Sequence, residues 1–252
     1  SIERAARLLA GHGAGFGADP GLAWLGLDGT VPPPPWEEEP DWRVEGLRGW
    51  RRGPAHGVLR TGPLRFRPGQ ADLLHFELRD GPLALLRDGG TGSYAAPPGE
   101  AWWHAHFTGT AAHNTIAFDG EDQMPRLGRF LFARWPRTWP LPEGAGLRDH
   151  RGRVQEREVR AEGRRWTIED RLSGRFGAVA LRWRLAPGPW EVRPDGAVGP
   201  WARLALSADA PLAVTLEQGW ESPAYGVVRP VPVLVARAMV PVSRITTVVA
   251  LT

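Results

Sequence analysis

From Trp42 onward the chain is a succession of short apolar or alternating runs, each closed by Gly, Pro or an Asp-Gly pair. No run there keeps the 3.6-residue period that would bury one face of a helix. Residues 47–51, 57–61, 64–67, 72–79, 83–87, 115–118 and 129–135 read as strands, as do 154–161, 164–172, 179–185, 190–194, 202–207, 213–218, 232–240 and 244–251. Asp80-Gly81 sits between two of these runs as a hairpin signal, since both residue types tolerate positive φ. Asp119-Gly120 is a second such turn, and Gly163 and Gly188 mark others. Many short strands with turns between them imply an all-β fold, an antiparallel β-sandwich over residues 42–252.

The first 41 residues follow another pattern. Ile2, Ala5, Ala6, Leu8 and Leu9 lie at helical spacing, with Ser1 as N-cap and Gly11 and Gly13 as stops. A Gly- and Pro-rich stretch follows, ending in Pro32-Pro-Pro-Pro35, a stiff extended connector. One short helix cannot fold alone, so residues 1–41 read as the tail of a preceding domain and its linker. The missing initiator Met and the lack of a charged-then-apolar leader fit a chain cut from something longer.

Composition removes several chemistries. Apolar residues at 42% and charged residues at 23% are those of an ordinary globular chain, and no apolar run is long enough to span a bilayer. Cysteine is absent, which excludes disulfides and thiolate chemistry. Lysine is absent too, so Schiff-base and lysine-nucleophile mechanisms fall away. The net charge of +3, with carboxylates interspersed among the arginines, argues against nucleic acid. It favours a mild attraction to anionic partners such as acidic sugars. The 13 Trp fall mostly at strand ends and alternate positions, where they read as core, although an exposed Trp could stack on a sugar ring.

Titratable and Gly-rich groups crowd between Gln70 and Phe130. Gln70-Ala-Asp-Leu-Leu-His75-Phe-Glu77 is followed by Leu86-Arg-Asp88-Gly-Gly-Thr-Gly-Ser-Tyr94, then by Thr110-Ala-Ala-His113-Asn114-Thr115. The stretch closes with Phe118-Asp-Gly-Glu121-Asp122-Gln123 and Leu127-Gly-Arg129-Phe130. His104 and His106 alternate with Trp103 and Phe107 and so share one face of a strand, either in solvent or as a chelating pair. Glu121, Asp122 and Gln123 follow a tight turn and read as a solvated loop or as sugar contacts. Tyr94 ends a Gly-rich turn, where it could pack in the core or hydrogen-bond a substrate. Asp88 could simply cap the turn before Gly89-Gly90.

Taken together and in this order, these motifs resemble the heparinase II/III-like family, and within it the C-terminal β-sandwich domain. The likeness runs from about Leu64 to the end and includes Glu221-Ser-Pro-Ala-Tyr225-Gly. It implies a polysaccharide lyase in which an α-helical toroid precedes the sandwich and uronate-containing glycans are cleaved by β-elimination. The toroid would supply the main catalytic Tyr with an Asn or His, and the sandwich a His and a metal site. By motif matching, Asp88 and His113 correspond to metal ligands suited to Zn²⁺. The third ligand falls at Gln70, where the family usually carries His; His75 could substitute, although five positions along a strand change both depth and face. His113 and Tyr94 are the catalytic candidates, and Asn114, Asp122, Gln123 and Arg129 the substrate-binding ones. The expected partners are an acidic polysaccharide and the preceding toroid, and the expected location is the periplasm or cell envelope. The alternative is a non-catalytic carbohydrate-binding or interdomain scaffold module.

Overall fold

The structure, a computed structural model, describes residues 40–252; the expected N-terminal helix and Pro-rich connector lie outside the described residues. Strands β1 (Asp41–Val44), β2 (Gly46–Arg52), β3 (Ala55–Gly62), β4 (Phe76–Asp80) and β5 (Leu83–Leu86) form a meander in sequence order. A helix, α1 (Trp102–Thr108), and a 3-10 turn at Thr110–Ala112 precede β6 (Ile116–Phe118) and the ribbon of β7 (Arg126–Gly128) and β8 (Leu131–Phe132). Then come β9 (Arg137–Leu141), β10 (Gly144–Arg148), β11 (Val154–Glu162), β12 (Arg165–Ser173), β13 (Val179–Arg184) and β14 (Glu191–Arg193). The chain ends with β15 (Gly196–Val198), β16 (Ala202–Ala208), β17 (Ala213–Ala224), β18 (Val227–Ala238) and β19 (Arg244–Leu251).

An eight-stranded sheet has the order β14-β15-β16-β19-β12-β11-β10-β9, and a four-stranded sheet the order β17-β18-β13-β6. All the named strand pairs are antiparallel. The meander joins the four-stranded sheet where the Arg87 N–H donates to Arg184 O (2.9 Å) and the Ala186 N–H to Leu85 O (2.8 Å).

Strict alternation drives this architecture. Along β11 and β12 buried and less buried residues alternate, which turns Val159, Ala161, Trp166, Ile168 and Leu172 inward. The three large sheets meet at Phe76, whose ring lies 6.2 Å from Trp50, 6.2 Å from Trp166 and 6.5 Å from Trp183. These four side chains come from β4, β2, β12 and β13, and each is at most 1% exposed. Truncating such a ring costs about 3–5 kcal/mol, through lost transfer energy and the cavity left behind.

Several local expectations change. Trp102–Thr108 is a helix, not a strand: Trp103 and Phe107 are buried while Ala105 between them is exposed, the pattern of an i, i+4 face. Over so short a window both periods place Trp103 and Phe107 on one side. The run at 64–67 is not a strand, and the one at 129–135 supplies only β8 of the small ribbon. Asp119 (φ +53°) and Gly120 (φ +72°) do make a tight turn, closed by the Glu121 N–H on Phe118 O at 2.9 Å. The strand before that turn pairs with β13 instead of with the one after it. Asp80-Gly81, by contrast, closes the β4–β5 hairpin as expected.

Candidate metal centre

The segment 72–75 was expected to be the start of a strand, and it is a turn. Leu74 takes φ +58° and the His75 N–H bonds back to Asp72 O at 3.1 Å, so β4 begins only at Phe76. This kink changes the direction of His75 and brings it beside two other loop residues. Asp88 lies just beyond β5, and His113 directly follows the 3-10 turn. One ligating atom from each of His75, Asp88 and His113 can be chosen so that all three lie within 4.8 Å of one another.

His113 is completely buried, and its Nδ1 is 2.8 Å from Asp88 Oδ1. Burial works against ionising Asp88. The His113 hydrogen bond, the charges of His113 and His75 and the Gly90 N–H (2.9 Å) outweigh it, and hold the carboxyl far below its usual range. Asp88 is therefore the acceptor and His113 Nδ1 carries the proton. On His75, Nδ1 accepts the backbone N–H of Asn114 at 2.8 Å, so the proton of the neutral ring lies on Nε2. That Nε2 faces two carboxylates, Asp88 Oδ1 and Glu77 Oε1, each at 3.6 Å. The Nε2 atoms of both histidines are buried without a hydrogen-bond partner.

The three side chains could hold a metal ion. Two imidazoles and one carboxylate are a donor set suited to Zn²⁺, and ligands about 2.0–2.1 Å from a tetrahedral ion lie roughly 3.3 Å apart. The Asp88 distances of 2.8 and 3.6 Å bracket that separation. An ion held by all three would take the place of the His113 Nδ1 and His75 Nε2 protons. Beside this cluster opens a cavity of about 200 Å³, lined by Arg60, Gln70, Asp72, His75, Glu77 and Asp88 among others.

Gln70 borders the cavity, but its amide nitrogen donates to Gly90 O (2.7 Å) and Phe107 O (2.9 Å), tying the Asp88 loop to α1. The Asn114 side chain donates to Phe76 O and Arg87 O, each at 3.0 Å, and accepts the Arg184 N–H at 2.7 Å. Gln123 is buried and brackets the Leu73 backbone, accepting its N–H at 3.0 Å and donating to its carbonyl at 2.8 Å. Asp122 accepts the Thr110 N–H at 2.7 Å. Glu121 pairs with Arg151 (2.7 Å) and with buried Arg153 (2.9 Å), so residues 121–123 have partners within the fold.

Tyr94 is half exposed and stacks edge-on against Phe130 at 5.4 Å, in a surface aromatic group with Tyr225 (5.8 Å). The Tyr94 N–H donates to the Tyr225 hydroxyl at 3.0 Å. Hydrogen bonds from Ser93 and from this N–H, with Arg129 nearby, pull the Tyr225 phenol below its ordinary value. Arg129 itself is exposed.

Arg157 and Asp170, buried behind the cluster, were not singled out from the sequence. Their signal was available: both fall on the inward register of alternating strands, where a charge must find a partner.

A family model described as heparinase II/III-like, C-terminal, matches residues 37–249. The chain belongs to the heparinase II/III-like family. No curated protein matches the sequence. Among solved structures, a heparinase III gene product is similar at 18% identity and TM-score 0.70, over 92% of this chain and 38% of its own. The heparan sulfate lyase HepC from Pedobacter heparinus is similar at 16% identity and TM-score 0.68, over 98% of this chain and 40% of its own. A further heparinase III is similar at 15% identity and TM-score 0.66. At such identities the likeness is one of fold, and the chain spans about two fifths of the length of these three structures.

Proposed function

We propose that this chain is the β-sandwich portion of a polysaccharide lyase and forms one wall of the cleft in which uronate-containing glycans undergo β-elimination. The observation that carries the reading is the Asp88–His113 pair, 2.8 Å apart and joined by His75 at the edge of a polar cavity. Elimination removes the proton at C5 of a uronate and breaks the bond from C4 to the leaving oxygen. It needs a base, an acid and neutralisation of the substrate carboxylate. His113, fully buried, would act by orienting Asp88, while Asp88, Glu77 and His75 meet the sugar at the cavity. A bound Zn²⁺ would supply positive charge beside the substrate carboxylate. The opposite wall, with the main proton-transfer groups, would come from a preceding α-helical toroid.

The test is a binding and turnover assay. Loaded with Zn²⁺, the chain should bind heparan-type, alginate-type or glucuronan oligosaccharides better than a neutral glucan, and Asp88→Asn, which removes a ligand of the ion, should remove that preference. Unsaturated uronate, seen by its ultraviolet absorbance, should appear only when a toroid domain of this family is joined to the chain. Equal binding of neutral and acidic glycans would overturn the proposal. A second reading, a non-catalytic carbohydrate-binding or scaffold module, is favoured by the exposed Tyr94–Phe130–Tyr225 group, whose rings a sugar could stack on. It predicts glycan binding lost in Tyr94→Ala and no turnover with any toroid. We also place the protein in the periplasm or cell envelope, where such glycans are met; cell fractionation checks this. Among the described residues no helix is long and apolar enough to cross a membrane.

A further inference from the structure

Arg157 and Asp170 face each other across β11 and β12, both at 0% exposure. Their pair is bidentate, with Nε on Oδ1 at 2.8 Å and Nη2 on Oδ2 at 2.9 Å. The remaining nitrogen, Nη1, donates to two backbone oxygens, Leu74 O and Asn114 O, each at 2.6 Å. Leu74 immediately precedes His75, and Asn114 immediately follows His113. One guanidinium thus holds the two turns that present both histidines.

A second branch reinforces the first. Gln155 Nε2 donates to Asp170 Oδ1 at 2.8 Å, and the Thr115 hydroxyl lies within reach of both Gln155 Oε1 (3.3 Å) and Leu73 O (3.1 Å). Leu74 has φ +58°, a conformation that a branched side chain resists unless its surroundings impose it. Stability alone does not require such a pair, because apolar residues of similar volume often fold as well or better in its place. The two carbonyls beside the histidines supply another reason for it.

We propose that Arg157 and Asp170 are positioning residues for the His75–Asp88–His113 centre, setting the separation of its imidazoles and so its affinity for a divalent cation. Neither touches a ligating atom; they act through the Leu74 and Asn114 carbonyls. The present ring arrangement, T-shaped with centroids 5.5 Å apart, is what they maintain. The effect on cation affinity rests on the metal-binding reading of that centre.

The test uses the full chain, with Zn²⁺ alone as the probe. It compares wild type with Arg157→Lys, Asp170→Asn and the double variant Arg157→Met/Asp170→Leu. Calorimetry gives Zn²⁺ affinity, circular dichroism gives Tm, and ¹⁵N-resolved imidazole spectra of the metal-free protein report on His75 and His113. The double variant should fold cooperatively yet bind Zn²⁺ at least about tenfold more weakly, the usual scale for losing outer-sphere support. Its His75 and His113 resonances should shift, and Arg157→Lys should recover part of the affinity. A folded double variant with wild-type affinity and unchanged resonances overturns the proposal. If wild type takes up no Zn²⁺, the metal reading fails by itself, and the imidazole resonances then decide: shifted supports positioning, unchanged overturns it. Should the double variant not fold, Asp170→Asn, similar in volume, carries the same two readouts.

Discussion

His113 donates its Nδ1 proton to Asp88 at 2.8 Å, across 25 positions of sequence, and does so from complete burial. A carboxylate so placed fixes the orientation of the ring and the tautomer of its neutral form. In Asp88→Asn the amide oxygen can still accept, but the charge that pulls a cation into the site is gone. The variant should fold with a loss of about 1–3 kcal/mol, the range for a weakened buried hydrogen bond. Its Zn²⁺ affinity should fall well below that of wild type, as calorimetry would read. Unchanged affinity would remove Asp88 from the ligand set.

Binding of Zn²⁺ should release protons. The nitrogens that face Asp88, His113 Nδ1 and His75 Nε2, both carry hydrogen in the arrangement described, and ligation through either requires its loss. Titrations in buffers of different ionisation enthalpy should give apparent enthalpies that differ by at least one proton's worth, and affinity should rise with pH. Buffer-independent enthalpies would show that neither protonated nitrogen is a ligand.

Acid should destabilise the fold before ordinary carboxylates protonate. Burial, with Arg184 and His113 close by, pushes His106 from 6.5 down to about 4. The unfolded chain therefore takes up the proton first, so this contribution is complete above about pH 6.5 and lost progressively towards pH 4. Discounted for the ring's partial exposure, its size is on the order of 1–2 kcal/mol. Tm measured between pH 7 and 4 should fall less steeply in His106→Gln than in wild type. Parallel curves would exclude His106 as the cause.

Gln70 should behave as a tie between loops. Gln70→Glu turns a donor into a carboxylate facing Gly90 O and Phe107 O, at a cost of about 1–3 kcal/mol or more. It should lower Tm and loosen the Asp88 loop, seen as faster amide exchange at Gly90. Gln70→His loses the same two bonds and should not raise Zn²⁺ affinity, because His75 already occupies the cluster. A gain in affinity would return Gln70 to the ligand position.

Much of this fold is written locally. Alternation along β11, β12 and β19, and the Asp80-Gly81 turn, follow from side-chain period and positive-φ tolerance, which act over a few residues. Asp88 and His113 were legible as partners through the motifs around them. What the sequence could not decide is where the chain bends against its own propensity. Leu74 reads as strand and sits at φ +58°, because Arg157 and Arg60, distant in sequence, claim its carbonyl and N–H. That bend turns His75 towards Asp88, while Gln70 spends its amide on the Gly90 and Phe107 carbonyls. Asn114 and Gln123 likewise read as polar residues able to meet a substrate, and only packing shows their amides spent on Phe76, Arg87, Arg184 and Leu73. A hydrogen-bonding side chain takes whichever partners burial brings to it, and across this fold those partners come from strands far apart in the chain.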